Sequence, residues 1–308
     1  RIIRLSITYI VLLAIITFGV IVLLNYLAFV IDNQVFAVLR FSLMCLMPLT
    51  IPLILFLAKC FNEPLERHIK KTYVNRAISI LDNSSVIKIG ITGSYGKTSV
   101  KEILKTILGQ RYRVLATPYS FNTPLGIART VKNLDSTHDI FIAEMGARQK
   151  GDIEQLAKIV KPKYGVLTGV NNQHLESFGT IANTMETKYE LFENLCDDGV
   201  AIFGSSNQHS QKLYEKFGGE KHFAGLNSLD NLVTATDIEM DSRGTTFNLV
   251  IKGNDPVKCS TVLLGKHSVD NICIASAVAY KLGLTPKEIA TGIGRVQSIG
   301  HRLELMPN

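Results

Sequence analysis

The segment Thr92-Gly-Ser-Tyr-Gly-Lys-Thr-Ser99 sits between an apolar stretch, Val86 to Ile91, and a stretch in which Val100, Ile103, Leu104, Ile107 and Leu108 recur at helical spacing. A strand that runs through a glycine-containing loop into an amphipathic helix leaves few architectures open. It is also the layout of a phosphate cradle. Gly93 and Gly96 let the backbone approach an anion closely, and the N–H groups at the helix start, aided by the helix dipole, favour negative charge. Lys97 can neutralise a terminal phosphate, and the Thr98 hydroxyl can hold Mg²⁺. The spacing departs from the common G-x-x-x-x-G-K-[ST], because Ile91 stands five positions before Gly96. A glycine-rich turn without a ligand is the alternative; the flanking strand and helix favour nucleotide binding.

From Val86 onward, short apolar runs alternate with helical patterns, which is the signature of a mostly parallel sheet covered on both faces. Strands are predicted at 86–92, 112–116, 139–143, 164–168 and 199–203, and helices at 98–109, 124–133, 151–160 and 180–195. Between 233 and 263 the texture changes to period-two stretches such as Thr245 to Ile251, with turns at Ser242-Arg-Gly and Gly253-Asn-Asp-Pro. This predicts a small antiparallel β subdomain. Thr285-Pro-Lys-Glu288 reads as a helix start, with Thr285 as cap and Glu288 closing the box.

Ligands in such folds gather at the carboxyl ends of the strands. Glu144 ends the run Ile140-Phe-Ile-Ala143 at that edge, as the metal-side acid of a phosphate-loop enzyme does, or simply as a solvated loop acid. His174 follows strand 164–168 and is either a ligand or an ordinary surface imidazole. Lys188 shares an apolar stripe with Ile181, Met185, Phe192 and Leu195. It either snorkels to water or is buried with a depressed pKa, in which case its neutral amine can take up CO₂ as a metal-binding carbamate.

Residues 5 to 31 and 41 to 58 are almost uninterrupted apolar sequence. They predict two transmembrane helices in a hairpin, and no cleaved signal peptide. Arg1 and Arg4 precede the first run, and Lys59, Arg67, Lys70, Lys71 and Arg76 follow the second. Both ends are therefore expected in the cytoplasm, with the chain as a multi-pass cell-membrane protein and its catalytic domain on the cytoplasmic side. The expected organisation is a hairpin over 1–60, a linker over 61–84 and an ATP-binding domain over 85–308. The five cysteines are scattered without a C-x-x-C pair, so neither a zinc site nor a disulfide framework is suggested. The net charge of +7 is moderate, and no basic run is interleaved with aromatics, which disfavours nucleic acid as a partner.

The loop Thr92 to Ser99, Asn122-Thr-Pro-Leu-Gly126, Glu144-Met-Gly146, His174-Leu-Glu-Ser-Phe-Gly179, Lys188, Gly265-Lys-His267 with Asn271, and His301-Arg-Leu-Glu304 follow one another in an order that resembles the Mur ligases, most closely the MurF type. That resemblance implies the family's central ATPase domain and an ATP-dependent ligase of peptidoglycan precursor synthesis, which activates a substrate carboxylate as an acyl phosphate for attack by an amine such as D-alanyl-D-alanine. It implies ATP and Mg²⁺. Gly93, Ser94, Gly96, Lys97, Thr98 and Ser99 would hold the phosphates, Asn271 the adenine, and Arg302 the nucleotide phosphates or the hinge region. Thr98 and Glu144 would bind one Mg²⁺, and His174 with a carbamylated Lys188 a second; Lys97, Lys188 and His174 would carry the catalysis. Asn122 and Thr123 would line the substrate side. The expected acceptor is a nucleotide-linked or lipid-linked muramyl peptide, and the family's C-terminal ligase domain is expected to be absent. A membrane-bound poly-amino-acid synthase, a phosphate-loop ATPase driving a membrane process and a catalytically silent scaffold are the other readings.

Overall fold

The structure is a computed structural model that describes residues 62–64, 66–171, 179–226, 228 and 230–297, together with scattered positions between 9 and 59. The chain divides into two units, Arg1–Thr72 and Tyr73–Asn308. In the first unit the described positions are helical. Among the described residues no helix is long and apolar enough to cross a membrane. This corrects the multi-pass membrane location expected from composition. Apolar content is necessary for a span, but a span also needs roughly 20 such residues in one helix. Most of the two apolar runs behind that expectation lies outside the described residues.

In the second unit, the central strands are buried on both faces, which is why they read as continuous apolar runs. In β3 (Ile140–Glu144) all five residues are buried. Ile140 and Ile142 join one core, and Phe141 and Ala143 the other. The remaining strands are β1 (Ile87–Thr92), β2 (Val114–Ala116), β4 (Tyr164–Leu167), β5 (Val200–Gly204), β6 (Glu220–Ala224), β7 (Val233–Asp241), β8 (Gly244–Ile251) and β9 (Val257–Thr261). The helices are α1 (73–82), α2 (Lys97–Leu108), α3 (Pro124–Val131), α4 (Asp152–Val160), α5 (Ile181–Glu193), α6 (Gln208–Lys216), α7 (Lys266–Lys281) and α8 (Pro286–Gly294). Helices α2, α7 and α8 cover one face; α1, α3, α4 and α5 cover the other.

The nine strands among the described residues form one sheet, in the order β2-β3-β1-β4-β5-β6-β7-β8-β9. The parallel part runs from β2 to β7, and β7, β8 and β9 are antiparallel. The antiparallel region is thus an extension of the main sheet, joined where Ala224 pairs with Val233, and not the separate subdomain expected from sequence. Three elements were not expected from sequence: α1, which lies within the segment 61–84 read as a linker, and α6 and β6. The α6 segment is polar and buries only Ser210 and Leu213, while β6 is short and only Ala224 is fully covered. The capping box at Thr285 and Glu288 is present as expected.

The order around β1 positions the site. From β1 the chain crosses to β2, returns to β3 and then moves to β4 on the other side, so the crevice beyond the β1 carboxyl end is a topological switch point. There Ile91 pairs with Glu144, and Thr92 pairs with Leu167.

Candidate active site

The loop after β1 is held open by its own backbone and by the end of β4. Gly93 has φ of 149°, and a Cβ there would fall 2.0 Å from the Thr168 Oγ1. Gly96 precedes α2 with φ of 75°, and a Cβ there would fall 2.7 Å from the Asn271 Oδ1. Only glycine fits either position. The Ser94 N–H donates to the Gly169 carbonyl at 2.8 Å, the Asn171 N–H donates to the Ser94 hydroxyl at 3.2 Å, and the Thr168 hydroxyl donates to the Tyr95 carbonyl. Helix α2 has no side-chain cap and no acidic residue in its first turn, so its N-terminal N–H groups suit an anion. The Lys97 ammonium folds back over the loop and donates to the Gly93 carbonyl at 2.6 Å.

Glu144 reaches this loop from the end of β3. Its Oε2 accepts from the Thr98 hydroxyl at 3.0 Å and from the Lys101 ammonium at 3.3 Å, while its Oε1 accepts from the Asn122 amide at 3.3 Å. Its backbone N–H donates to the Thr117 hydroxyl at 3.1 Å. The carboxylate is almost fully buried, so the solvated-acid reading is excluded. Thr98 and Glu144 converge as hard oxygen donors. Among the described residues no three His, Cys, Asp or Glu gather for a metal, and a sparse oxygen set of this kind suits Mg²⁺, which keeps its waters and takes further oxygens from phosphates.

Lys188 lies on α5, whose first turn is capped by the Thr180 hydroxyl. It is 4 % exposed. Burial, and then the neighbouring Lys97 cation, lower its pKa to about 8, so it does not snorkel. Two residues on, the Glu190 carboxylate accepts from the Gly151 N–H at 2.7 Å and the Glu154 N–H at 3.0 Å, and so fixes α5 against the start of α4.

Two clefts flank the loop. The first, about 670 Å³, is lined by Ser94, Lys97, Asn122, Thr123, Asp152 and Lys188 among others. The second, about 470 Å³, lies on the other side of Gly96 and is lined by Tyr95, Ser99, Leu263, His267 and Asn271 among others. The structure therefore gathers Gly93, Ser94, Gly96, Lys97, Thr98, Ser99, Glu144, Asn122, Lys188 and Asn271 around one loop. Thr123 lines the first cleft, but its hydroxyl is the cap of α3, accepting from the Gly126 N–H at 3.3 Å. His174 and Arg302 lie outside the described residues. Lys101, Thr117 and Thr168 escaped sequence reasoning. Lys101 alone carried a signal, since it falls one turn beyond Lys97 on the apolar side of α2, as Lys188 does on α5.

The Mur ligase middle domain matches residues 91–279 of the chain. The UDP-N-acetylmuramoyl-tripeptide--D-alanyl-D-alanine ligase of Bacillus subtilis (strain 168) is 32% identical over 222 residues, which cover 71% of this chain and 46% of that protein. Among solved structures, MurF from Acinetobacter baumannii superposes with a TM-score of 0.73 at 25% identity, over 78% of this chain and 52% of the other. MurF ligase from Thermotoga maritima in complex with ADP gives 0.68 at 26% identity, over 75% and 53%. The chain spans about half the length of the relatives it matches.

Proposed function

Because the chain belongs to the Mur ligase family, whose middle domain it carries over residues 91–279, we propose that it is the ATP-binding part of a ligase of peptidoglycan precursor synthesis that joins D-alanyl-D-alanine to a nucleotide-linked muramyl peptide. The observation that carries this reading is the meeting of Lys97, the Thr98–Glu144 pair and a buried Lys188 of lowered pKa around one glycine loop. A phosphate site alone would serve any ATPase. A further lysine, buried and facing the same cleft, is what a carbamate needs to hold another cation there, and carboxylate activation gathers negative charge in both of its steps.

In the first step a carboxylate oxygen of the muramyl peptide attacks the γ-phosphorus of ATP, and the bond to the bridging oxygen breaks to release ADP. In the second the amine adds to the carbonyl of the acyl phosphate, phosphate leaves, and the amine proton is lost as the amide forms. Lys97 and the N–H groups of the loop and the first turn of α2, other than that of Ser94, hold the β- and γ-phosphates. Thr98 and Glu144 would hold Mg²⁺, which would supply Lewis-acid withdrawal of charge from the transferring phosphate. Asn122 orients the acceptor beside Glu144, and the second cleft, with Asn271, takes the adenine. With a pKa of about 8, roughly a tenth of Lys188 is neutral at pH 7. That amine can attack CO₂ and lose a proton, which leaves a carbamate anion in place of a cation. His174 would stand with it at a second Mg²⁺, and Arg302 would contact the nucleotide phosphates.

The test is phosphate release from ATP by the full-length protein, with and without UDP-muramyl tripeptide plus D-alanyl-D-alanine, in wild type and Lys188→Ala. Release that requires both substrates, yields an amide and disappears in the variant is expected. Hydrolysis that ignores the substrates and survives Lys188→Ala would instead make the protein a phosphate-loop ATPase.

A further inference from the structure

Among the described residues Lys101 is the largest side chain with no solvent exposure, and it is charged. A buried ammonium is retained only where its hydrogens are satisfied and its charge is matched. Here they are met by two parts of the site that come from different elements. One is the Glu144 carboxylate at 3.3 Å, and the other is the carbonyl of Tyr119, with the Glu102 carboxylate at 3.4 Å completing the shell. Tyr119 belongs to the segment 117–123, which leads from β2 to α3 and supplies Ser120, Asn122 and Thr123 to the wall of the first cleft. Its backbone is left-handed, with φ of 48°, and its ring is 81 % exposed. A non-glycine residue keeps that conformation only where its surroundings hold it there. The exposed ring meets the Phe121 ring at 6.4 Å between centroids, and the Phe121 N–H closes a turn onto the Pro118 carbonyl at 3.0 Å; the bond from Lys101 to the Tyr119 carbonyl ties that turn to the buried acid. The same segment meets Glu144 twice more, through the Thr117 hydroxyl and the Asn122 amide.

We propose that Lys101 is a positioning residue that couples the acceptor-side segment 117–123 to the metal-side acid Glu144, so that filling one side of the cleft orders the other. The proposal rests on reading this cleft as a nucleotide and Mg²⁺ site. Simple electrostatics makes the opposite forecast to positioning, because removing a cation beside Glu144 would strengthen binding of a divalent ion there.

The experiment compares wild type, Lys101→Met and Lys101→Arg in the full-length protein, by amide hydrogen exchange and by electron paramagnetic resonance of Mn²⁺ with a non-hydrolysable ATP analogue. In Lys101→Met, exchange across 118–123 rises about tenfold, the effect of losing a charged hydrogen bond, while α2 beyond Leu104 keeps its protection. Mn²⁺ binding to the nucleotide complex weakens by a similar factor, and Lys101→Arg recovers part of both. In wild type, Mn²⁺ with the analogue slows exchange across 118–123 more than the analogue alone, an arm that needs no variant to fold. Unchanged exchange in 118–123 of a folded Lys101→Met, tighter Mn²⁺ binding in it, or no metal-dependent protection in a wild type that binds the complex would each overturn the proposal. Failure of wild type to bind Mn²⁺ and nucleotide at all would count against the nucleotide-site reading instead, and exchange in Lys101→Met would still decide the coupling.

Discussion

The two clefts beside the glycine loop draw on different parts of it, Gly93, Ser94 and Lys97 for the first and Tyr95, Gly96 and Ser99 for the second, and are built from different chemistry. The first, about 670 Å³, is walled by Lys97 and the buried Lys188, and Asn122 in its wall bonds the buried Glu144, which pairs with Lys101, so charges taken out of water lie in and behind its wall. The second is smaller, and its walls are Ile103, Leu263 and Leu264 with His267 and Asn271 at hand. Charge in a water-poor setting costs stability unless it is matched, and it is also where electrostatic stabilisation of a transition state is strongest. The second cleft has the composition of a recognition pocket: apolar walls and a few placed hydrogen-bonding groups. On the proposed reading, reaction and recognition are separated by one loop, and substitutions on its two sides should fail in different ways.

The largest effect is expected at Glu144. Glu144→Ala leaves the Lys101 ammonium buried beside an empty space, which costs about 3–5 kcal/mol. Thermal unfolding should show a drop of many degrees, and metal-dependent phosphate release should vanish. A variant of wild-type stability would mean that the Lys101–Glu144 pair does not hold the first cleft together. Lys188 should behave in the opposite sense. Its ordinary pKa is 10.5 and its folded value about 8, so the folded state bears the full cost of protonation below about pH 8 and none above about 10.5. The cost is about 3 kcal/mol at pH 7. In CO₂-free buffer Lys188→Met should therefore unfold at a higher temperature than wild type at pH 7, by a margin that shrinks as pH rises from 8 to 10.5, while substrate-dependent phosphate release is lost. An equal or lower melting temperature at pH 7 would show that the lysine is not strained by burial.

Gly93→Ala tests the loop that both clefts share. Its Cβ would collide with the Thr168 hydroxyl, and a cost of about 2 kcal/mol is expected. Nucleotide affinity should fall with it, and Thr168→Ala in the same chain should recover part of the stability by removing the clashing oxygen. Additive losses in the double variant would place the strain elsewhere. Asn271→Ala carries the smallest expected effect. It should weaken binding of an ATP analogue by about tenfold, the worth of a hydrogen bond or two. Unfolding temperature should stay within about 2 °C of wild type and the response to Mg²⁺ should not change. A changed metal response would mean that the two clefts are not separable.

Sequence periodicity revealed the five parallel strands β1 to β5, the helices between them and the turn into α2, because each is buried on both faces or along one stripe and so repeats in the sequence. It did not reveal α1, nor α6 and β6, whose residues are mostly polar; β6 takes its place by pairing with β5, and α6 is anchored through Leu213. It also took β7, β8 and β9 as a sheet of their own, since period-two alternation shows the half-buried face of a strand and says nothing about what lies at its edge. The apolar runs near the start suggested a membrane location, and no helix among the described residues supports one. In the site, the logic that singled out Lys188 applied equally to Lys101, which sits one turn past Lys97. It passed unnoticed because its neighbour in the loop offered a simpler use for a lysine.

What the sequence determined by itself is the local chemistry: two glycines where only glycine fits, a lysine and a threonine following them on a helix start, and a lysine inside an apolar stripe. These are properties of residues within a few positions of one another, and short-range geometry fixes them. Only the tertiary structure decided that Glu144 would meet Thr98, that Asn271 would stand against Gly96, and that one buried ammonium would join Glu144 to Tyr119. Those meetings depend on strand order. Parallel pairing of β3 and β4 on either side of β1 brings the ends of three strands to one edge, and no local pattern records which strands will be neighbours.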